Sequence, residues 1–354
     1  MPTLAALYLL SYVVFSYATK QLGKEVGATA LLLASVVACA GVWFGLLLAQ
    51  HGLAALGRRV VFVGKVVGAS WLARVLPRLS ERDVIVVALA SAGILLSSTL
   101  AYSRPDVSLL LPLVLMKGGV ILWGPVVSFV RGEEGALSRR AVGVLGLTVA
   151  ALGVILWPKV DVRAAVGVGV AAACAAAYVV LYYPKIATMR RHLRDAAFLP
   201  TEMTLTVLVA LPVALVADVL GRTHEALGGL QGLAGAYPLA RVLGGAFLAS
   251  WTQLEALLRD PRLLTQALGS EGAALFGGLL FMAPAAASVC VPLNRCASLL
   301  GGSIATLILW TDKGGRVAAF FSERGNWPEI FGALLMCAAL WVGMSRPAVP
   351  ARAA

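Results

Sequence analysis

Two basic residues lie inside long apolar runs of the sequence, where a charge is energetically costly. Lys117 lies in the run LVLMKGGVILW, and Arg295 follows Asn294 in the run VPLNRCASLL. A lysine or arginine at the centre of a bilayer costs roughly 2.5–3.5 kcal/mol on insertion scales, and such residues commonly mark a substrate pathway. A guanidinium can hold a phosphate or carboxylate with two hydrogen bonds, and a lysine adds a point charge. If the two side chains converge, they predict an anion site; the alternative is pairing with backbone carbonyls or snorkelling to the membrane surface.

Polar and aromatic side chains in the apolar runs are further candidates for lining the same site. Trp123 lies in the middle of its run, where lining a pocket and packing against another helix are equally compatible with the sequence. Aromatic residues at the ends of runs, such as Tyr182, are more typical of anchors at the membrane interface. The candidate substrate-binding residues are Lys117, Arg295, Asn294, Trp123, Tyr12 and Tyr178.

The acidic residues are predicted to lie in connections or near the ends of the apolar runs. Glu202, Asp218 and Glu271 are the ones closest to the membrane. Proton-driven carriers commonly use an intramembrane acid or histidine, so this distribution favours exchange or facilitated transport. It also leaves Lys117 and Arg295 without an obvious acidic partner, which favours an anionic ligand over a buried ion pair.

The sequence offers no pattern typical of a metal site, a cofactor or a catalytic centre. The histidines fall in three separate connections, and the five cysteines lie inside apolar runs without a Cys-x-x-Cys pair. A membrane-embedded enzyme would need convergent His, Asp or Glu near the interface. We therefore expect no metal, no cofactor and no enzymatic activity, with a membrane enzyme or a non-transporting scaffold as the rival classes.

The composition indicates the elements that must position these residues. Of the 354 residues, 60% are hydrophobic and 13% are charged, whereas soluble domains are about half apolar and about a quarter charged. A helix that crosses the bilayer needs roughly 20 apolar residues. The sequence thus predicts an all-α membrane protein with ten transmembrane helices, and a lipid bilayer as its surroundings.

The ten predicted spans are separated by connections that carry most of the charge. Two connections, at about 50–83 and about 221–270, are long and mix apolar residues with spaced Arg or Lys, which is typical of amphipathic helices in the headgroup layer. An additional span within 239–258 is the alternative for the second of these. The predicted spans cover about 3–19, 28–49, 84–102, 107–130, 140–157, 163–183, 201–220, 271–288, 290–311 and 328–345.

The distribution of Lys and Arg predicts the orientation. In the first half, the connections after spans 2, 4 and 6 are rich in basic residues, which predicts that they and both termini are cytoplasmic. The second half is ambiguous by the same rule, because its basic residues would then lie outside. No basic segment precedes the first run, so we expect a first helix that is retained rather than a cleaved signal peptide. The net charge of +12 is explained by this bias, and no nucleic-acid partner is expected.

The two halves share a layout of two spans, a long connection and three spans. We predict a first five-helix repeat at 1–157, a second at 158–345 and a disordered tail at 346–354. Pro112 and Pro292 stand at corresponding positions, and each is followed by one of the two basic residues. Five helices repeated give the two copies opposite topologies, which is the arrangement of many secondary transporters with a midplane site.

Several stretches resemble the drug/metabolite transporter superfamily. The first span closes in Tyr17-Ala-Thr-Lys20, and spans 4 and 5 read LPLVLMKGGVILWGPVVSFVRGEEGALSRRAVGVLGLTVAALGVIL. Spans 9 and 10 read VPLNRCASLLGGSIATLIL and WPEIFGALLMCAALWVGM. The superfamily includes EamA-like metabolite exporters, nucleotide-sugar transporters and sugar-phosphate translocators. One departure is Thr311-Asp312-Lys313-Gly314, where the family often has Gly-Glu.

The resemblance implies two inverted five-helix repeats and alternating access. It also implies that basic residues in spans 4 and 9 hold a phosphate. The expected function is secondary transport of a small organic solute, anionic in character (a sugar phosphate, nucleotide sugar or organic acid), by exchange or facilitated diffusion. The alternative is export of neutral or amphipathic metabolites. We expect a monomer or homodimer in a bacterial inner membrane, or alternatively in a eukaryotic organelle membrane.

Overall fold

The structure is a computed structural model that describes most of the chain. The described residues are 1–26, 28–55, 61–62, 65–66, 76–103, 110–121, 123–133, 138–156, 165–193, 195, 197–229, 239–322 and 327–344. The predicted tail at 346–354 and about half of the predicted amphipathic connection at 50–83 lie outside these residues.

Helices make up nearly all of the described chain. Two strands of two residues each, β1 (Val61–Phe62) and β2 (Lys65–Val66), pair antiparallel, and a 3₁₀ turn covers Leu76–Ser80. The helices are α1 (Pro2–Glu25), α2 (Ala28–Ala55), α3 (Arg82–Ser103), α4 (Leu110–Ile121), α5 (Trp123–Val130), α6 (Arg139–Leu156), α7 (Ala165–Met189), α8 (Phe198–Gly229), α9 (Leu239–Leu258), α10 (Pro261–Phe281), α11 (Ala287–Asp312), α12 (Val317–Ser322) and α13 (Trp327–Met344).

Six helices of the described chain are long and apolar enough to cross a membrane. They lie at Pro2–Glu25, Thr29–Ala49, Arg82–Tyr102, Ala172–Met189, Phe198–Thr223 and Ala287–Asp312. Shorter apolar helices occupy Leu115–Val130, Ala141–Val154 and Ile330–Val342. The chain is therefore a multi-pass, all-α membrane protein, as the composition predicts.

The predicted fourth span, 107–130, corresponds to α4 and α5, and residue 122 lies outside the described residues. Lys117 lies in the second half of α4.

The predicted eighth span, 271–288, is wrong by about ten residues at its start. Helix α10 begins at Pro261 because Asp260 caps it, its carboxylate accepting the N–H of Arg262 at 2.8 Å. It ends at Phe281, before a bend at residues 282–286. The span was misplaced because Glu271 was treated as its boundary, whereas Glu271 is at the middle of the helix.

In the structure, most of the long connection at 221–270 is helical. Helix α8 continues to Gly229, and α9 packs against α8 and α2. Helix α9 buries Ala246, Ser250 and Leu254 on one face and exposes Leu248 and Trp251 on another. It is not among the candidate spans of the described chain.

Helix α1 lies at the centre of the packing, along α10 and α11. Glycines permit this close approach: a Cβ added to Gly269 would lie 2.5 Å from the backbone nitrogen of Phe15, and one on Gly301 would lie 3.2 Å from the carbonyl oxygen of Leu9. Helix α7 packs along α3 and α4 in a comparable way. These helices surround the interior of the protein.

One set of ion pairs and hydrogen bonds joins the helix ends on one face of the molecule. Arg78 donates to Asp195 at 2.9 Å. The Glu133 carboxylate accepts from Arg190 at 3.0 Å and from the backbone N–H of Ala287, at the start of α11, at 2.7 Å. These contacts bring together the connections before α3, after α5, after α7 and before α11.

A second set joins helix ends at the opposite face, since α10 and α11 each run from one set to the other. Glu25 at the end of α1 pairs with Arg262 at 2.7 Å. Asp312 at the end of α11 accepts from Gln21 at 3.0 Å and from Tyr17. The connections are thus sorted onto two faces with the helices running between them.

Candidate functional site

A cavity lies between α1, α3, α4, α7, α8 and α10. Its empty space is about 730 Å³ when the open solvent at its mouth is included. Its apolar wall includes Phe15, Ile94, Leu95, Met203 and Val207. The polar side chains that line it are Tyr8, Tyr12, Ser91, Ser98, Lys117, Tyr178, Tyr182, Glu202, Thr206, Ser270 and Glu271.

Lys117 extends from α4 into the wall of this cavity and is 3% exposed. Its ammonium group donates a hydrogen bond to the hydroxyl of Tyr178. It also stands 4.7 Å from the ring centre of Tyr12 and 4.6 Å from that of Tyr178, at cation–π distance. Among the described residues, Lys117 forms no ion pair with a carboxylate.

Arg295 reaches the same tyrosine from α11 and is fully buried. Its guanidinium donates to the Tyr178 hydroxyl at 2.8 Å, to the Tyr182 hydroxyl at 3.2 Å and to the side chain of Asn294. Its Nε has no hydrogen-bond partner within the part of the chain that the structure describes. Arg295 therefore lies directly behind the tyrosines of the cavity wall rather than on the wall itself.

The Tyr178 hydroxyl is the point at which the two basic residues meet. A hydroxyl oxygen has two lone pairs, so it can accept from Lys117 and from Arg295 together. The two cations come from different halves of the chain, on α4 and α11. The structure thus brings Lys117, Arg295, Tyr12 and Tyr178 to one site, as the convergence hypothesis requires.

Trp123 and Asn294 occupy different positions from these four residues. The Trp123 indole N–H donates to the carbonyl of Val179 at 2.8 Å, and its ring lies 5.0 Å from that of Tyr183. Trp123 does not line the cavity, so its position favours packing. Asn294 is fully buried beside Arg295, and its Nδ2 has no partner among the described residues.

Two acids that the sequence placed at the edge of the membrane line the cavity. Glu271 is 7% exposed and Glu202 is 2% exposed. Glu202 lies 3.6 Å from the ammonium of Lys185 and accepts from the hydroxyl of Thr206 at 3.1 Å. The expectation that every acid lies in a connection or near a helix end was wrong for Glu271, which is at the middle of α10.

One local signal could have located Glu271 correctly. Asp260-Pro261 is a typical helix start, with a capping acid before a proline at the first helical position. A helix of about twenty residues counted from that start has its centre at Glu271. No comparable signal predicts the pair between Glu202 and Lys185, because it depends on how α7 and α8 pack.

Comparison of the sequence with protein-family models and with curated proteins finds no match. The chemistry of the cavity is therefore the basis for assigning a function to this membrane protein.

Proposed function

We propose that the protein is a secondary transporter of small organic anions, such as a sugar phosphate, a nucleotide sugar or an organic acid. The observation that carries the proposal is the pair formed by Lys117 and Arg295, buried at one cavity wall and linked by Tyr178. Neither cation pairs with a carboxylate among the described residues. The resemblance of spans 4 and 9 to the drug/metabolite transporter superfamily supports the same proposal.

The free-energy cost of burying two positive charges favours a ligand that supplies a negative charge at this site. A buried charge costs several kcal/mol unless it is paired and hydrogen-bonded. Tyrosine hydroxyls and aromatic rings compensate only part of that cost for Lys117 and Arg295. A phosphate or carboxylate supplies the missing charge. Lys185, which pairs with the cavity-lining Glu202, shows how a buried cation with an acidic partner is arranged.

We also propose ten crossings arranged as two inverted five-helix repeats. The pairing of helices supports this, since α1 packs on α10 and α11 while α7 packs on α3 and α4. The first helix of each half thus packs on the third and fourth of the other. Two further pairs, α2 with α8 and α6 with α13, join corresponding helices. Rocking of such repeats around a midplane site is a known route to alternating access.

Helix α9 does not count as a crossing in this proposal. Helix α8 leaves the face of Asp195 and is 32 residues long, about 48 Å at 1.5 Å per residue. The residues after α9, Asp260 and Arg262, lie at the face of Glu25. Helix α9 therefore begins and ends on the same side.

The mode of transport is less constrained than the sequence implied. Exchange or facilitated diffusion was favoured because no acid was expected within a span, and Glu271 removes that reason. Export of neutral or amphipathic metabolites is the second candidate, because Phe15, Ile94 and Val207 form an extended apolar wall. In that case Lys117 and Arg295 would serve the stability of the fold.

Counterflow in proteoliposomes tests the proposal. The panel contains inorganic phosphate, glucose 6-phosphate and malate as anions, with glucose as the neutral probe. We expect exchange of at least one anion, and a loss of about tenfold or more in Lys117→Met, which corresponds to about 1.4 kcal/mol of binding. Lys313→Met, at an exposed lysine on the surface, is the matched control.

Arg295→Lys tests whether the anion site needs only the positive charge of Arg295 or also the planar shape of its guanidinium. It keeps the positive charge but removes the planar guanidinium that holds the hydroxyls of Tyr178 and Tyr182 at the cavity wall, so we expect the half-saturating anion concentration to rise severalfold. The absence of exchange for every anion, or full activity in both Lys117→Met and Arg295→Lys, would refute the anion proposal.

A further inference from the structure

Glu271 lies on the cavity wall at the middle of α10, which crosses the bilayer in the ten-crossing arrangement proposed above. It is the eleventh of the twenty-one residues of α10, which places it roughly 15 Å from either end at 1.5 Å per residue. The hydrocarbon core is about 30 Å thick. A carboxyl group at this depth, in contact with a cavity, has a route for proton exchange that a residue packed among helices does not have.

Among the described residues, Glu271 forms no ion pair with a cation. Lys185, on α7, is paired with Glu202 at 3.6 Å and donates to Ser91 at 2.5 Å. On α9, Glu255 and Arg259 pair with each other at 2.6 Å and are exposed. Among the described residues, the titratable or charged groups that line the cavity with Glu271 are Tyr8, Tyr12, Lys117, Tyr178, Tyr182 and Glu202. Cys39 on α2 and Lys185 on α7 also interact with Glu271.

Uncharged groups contact Glu271 most directly. The thiol of Cys39, on α2, hydrogen-bonds with its carboxyl group. A thiol is a weak hydrogen-bond donor and cannot replace a countercharge. Glu271 therefore differs from Glu202, which has both an ammonium and a hydroxyl as partners.

The net charge around the cavity depends on whether Glu271 carries a proton, and this dependence couples Glu271 to the anion site. The pair Lys185–Glu202 is neutral, so Lys117 and Arg295 leave two positive charges when Glu271 carries a proton. When Glu271 is ionised, one positive charge remains. An anion thus meets a more favourable potential when the proton is bound, and by thermodynamic linkage the anion strengthens proton binding by the same factor.

We propose that Glu271 binds a proton together with the transported anion and couples its movement to a proton gradient. This inference rests on the proposed function. On one side of the membrane, a proton from water forms an O–H bond with the Glu271 carboxylate as the anion binds at Lys117. On the other side, the anion leaves, the O–H bond breaks and the proton returns to water.

The test compares uptake driven by a proton gradient with counterflow in the same proteoliposomes. The probes are inorganic phosphate, glucose 6-phosphate and malate. One coupled proton and a gradient of one pH unit can support up to about tenfold accumulation. The result is the ratio of uptake driven by the proton gradient to uptake by counterflow. We expect this ratio to exceed one in the wild type and to fall to one in Glu271→Gln.

Two further variants keep the test decisive. Glu271→Asp retains a carboxyl group and is expected to keep the stimulation. Glu255→Gln, at an exposed acid on α9, is expected to keep the wild-type ratio. Stimulation that persists in Glu271→Gln, or a wild-type ratio of one for every transported probe, would overturn the inference.

A second measurement does not require transport, so it can also be made on a variant that reconstitutes poorly into liposomes. Infrared difference spectra between acidic and alkaline pH should show a carboxylic-acid C=O band in the wild type that is lost in Glu271→Gln. An unchanged band would mean that Glu271 is not the proton site. If no probe shows counterflow, the proposed function fails and the coupling fails with it, whereas the band still decides whether Glu271 takes up the proton.

Discussion

The hydroxyl of Tyr178 links two cations that have no described acidic partner. Hydrogen bonds to charged groups contribute about 1.5–3 kcal/mol each, and this oxygen accepts one from Lys117 and one from Arg295. The tyrosine therefore acts as the resting partner of the site before any anion arrives. Its hydroxyl also orients Lys117 towards the cavity.

Tyr178→Phe should lower the melting temperature of the detergent-solubilised protein measurably, because both cations lose an acceptor. Tyr183→Phe is the control, since the structure places that ring against Trp123. Equal melting temperatures for the two variants would show that the hydroxyl of Tyr178 contributes nothing to stability.

Among single residues, the basic candidates were easier to recognise in the sequence than the acidic ones. Lys117 and Arg295 stand out because each interrupts an apolar run. Glu271 was read as the end of a run, because a charge and a helix boundary look alike when only composition is considered. Trp123 could not be assigned from the sequence, since a pocket and a packing interface favour the same residue type.

At the scale of elements, the contact of α1 with α10 depends on glycine at the helix interface. A Cβ at Gly269 would lie 2.5 Å from the nitrogen of Phe15 and 2.9 Å from the carbonyl oxygen of Ser11. Backbone atoms cannot move aside as a flexible side chain can. The two helices must separate if this position carries a larger residue.

Gly269→Val should reduce the yield of folded protein and lower its melting temperature, since overpacking costs about 1–3 kcal/mol or more. Gly45→Val is the matched control, because a Cβ there meets nothing within 4 Å. Size-exclusion profiles and thermal melts measure both. A stable Gly269→Val protein with wild-type transport would contradict the packing described for α1 and α10.

Another element contact joins the start of α3 to the start of α8, outside the spans. The Arg78 guanidinium, which hydrogen-bonds Asp195 at 2.9 Å, holds the pKa of that carboxyl below its ordinary value. A lowered folded-state pKa means that the stabilisation is present above the unfolded pKa and is lost as the pH falls through the folded one.

Asp195→Asn should therefore lower the melting temperature near neutral pH. The difference from the wild type should shrink below about pH 4, where the carboxylate of the wild type becomes protonated. Thermal melts between neutral and acidic pH measure this. A difference that stays constant over the range would show that the ionised Asp195 is not what joins these elements.

At the scale of the whole molecule, the end contacts sort the connections onto two faces. Ser80 and Arg191 belong to one face, and Glu25 and Lys313 belong to the other. If ten helices cross and α9 does not, both termini lie on the side of Arg191. From the positive-inside rule, we expect that side to be the cytoplasmic one.

Single-cysteine labelling in sealed vesicles checks this topology, after the five native cysteines are replaced. Ser80→Cys and Arg191→Cys should react with a membrane-impermeant maleimide from one side. Glu25→Cys and Lys313→Cys should react from the other. Labelling of Lys313→Cys and Arg191→Cys from the same side would mean that the number of crossings between them is even, and the ten-span proposal would fail.

The sequence by itself determined the membrane class, most helix positions and the two basic candidates. These follow from local pattern, because a crossing helix needs about 20 apolar residues and satisfies its backbone hydrogen bonds within itself. Only the tertiary structure decided that Lys117 and Arg295 meet at Tyr178, which is 61 and 117 positions away from them in the chain. It also decided that Glu271 faces a cavity. Such contacts arise from the packing of helices from both halves, and the local pattern of one helix does not specify which side chains of another it will meet.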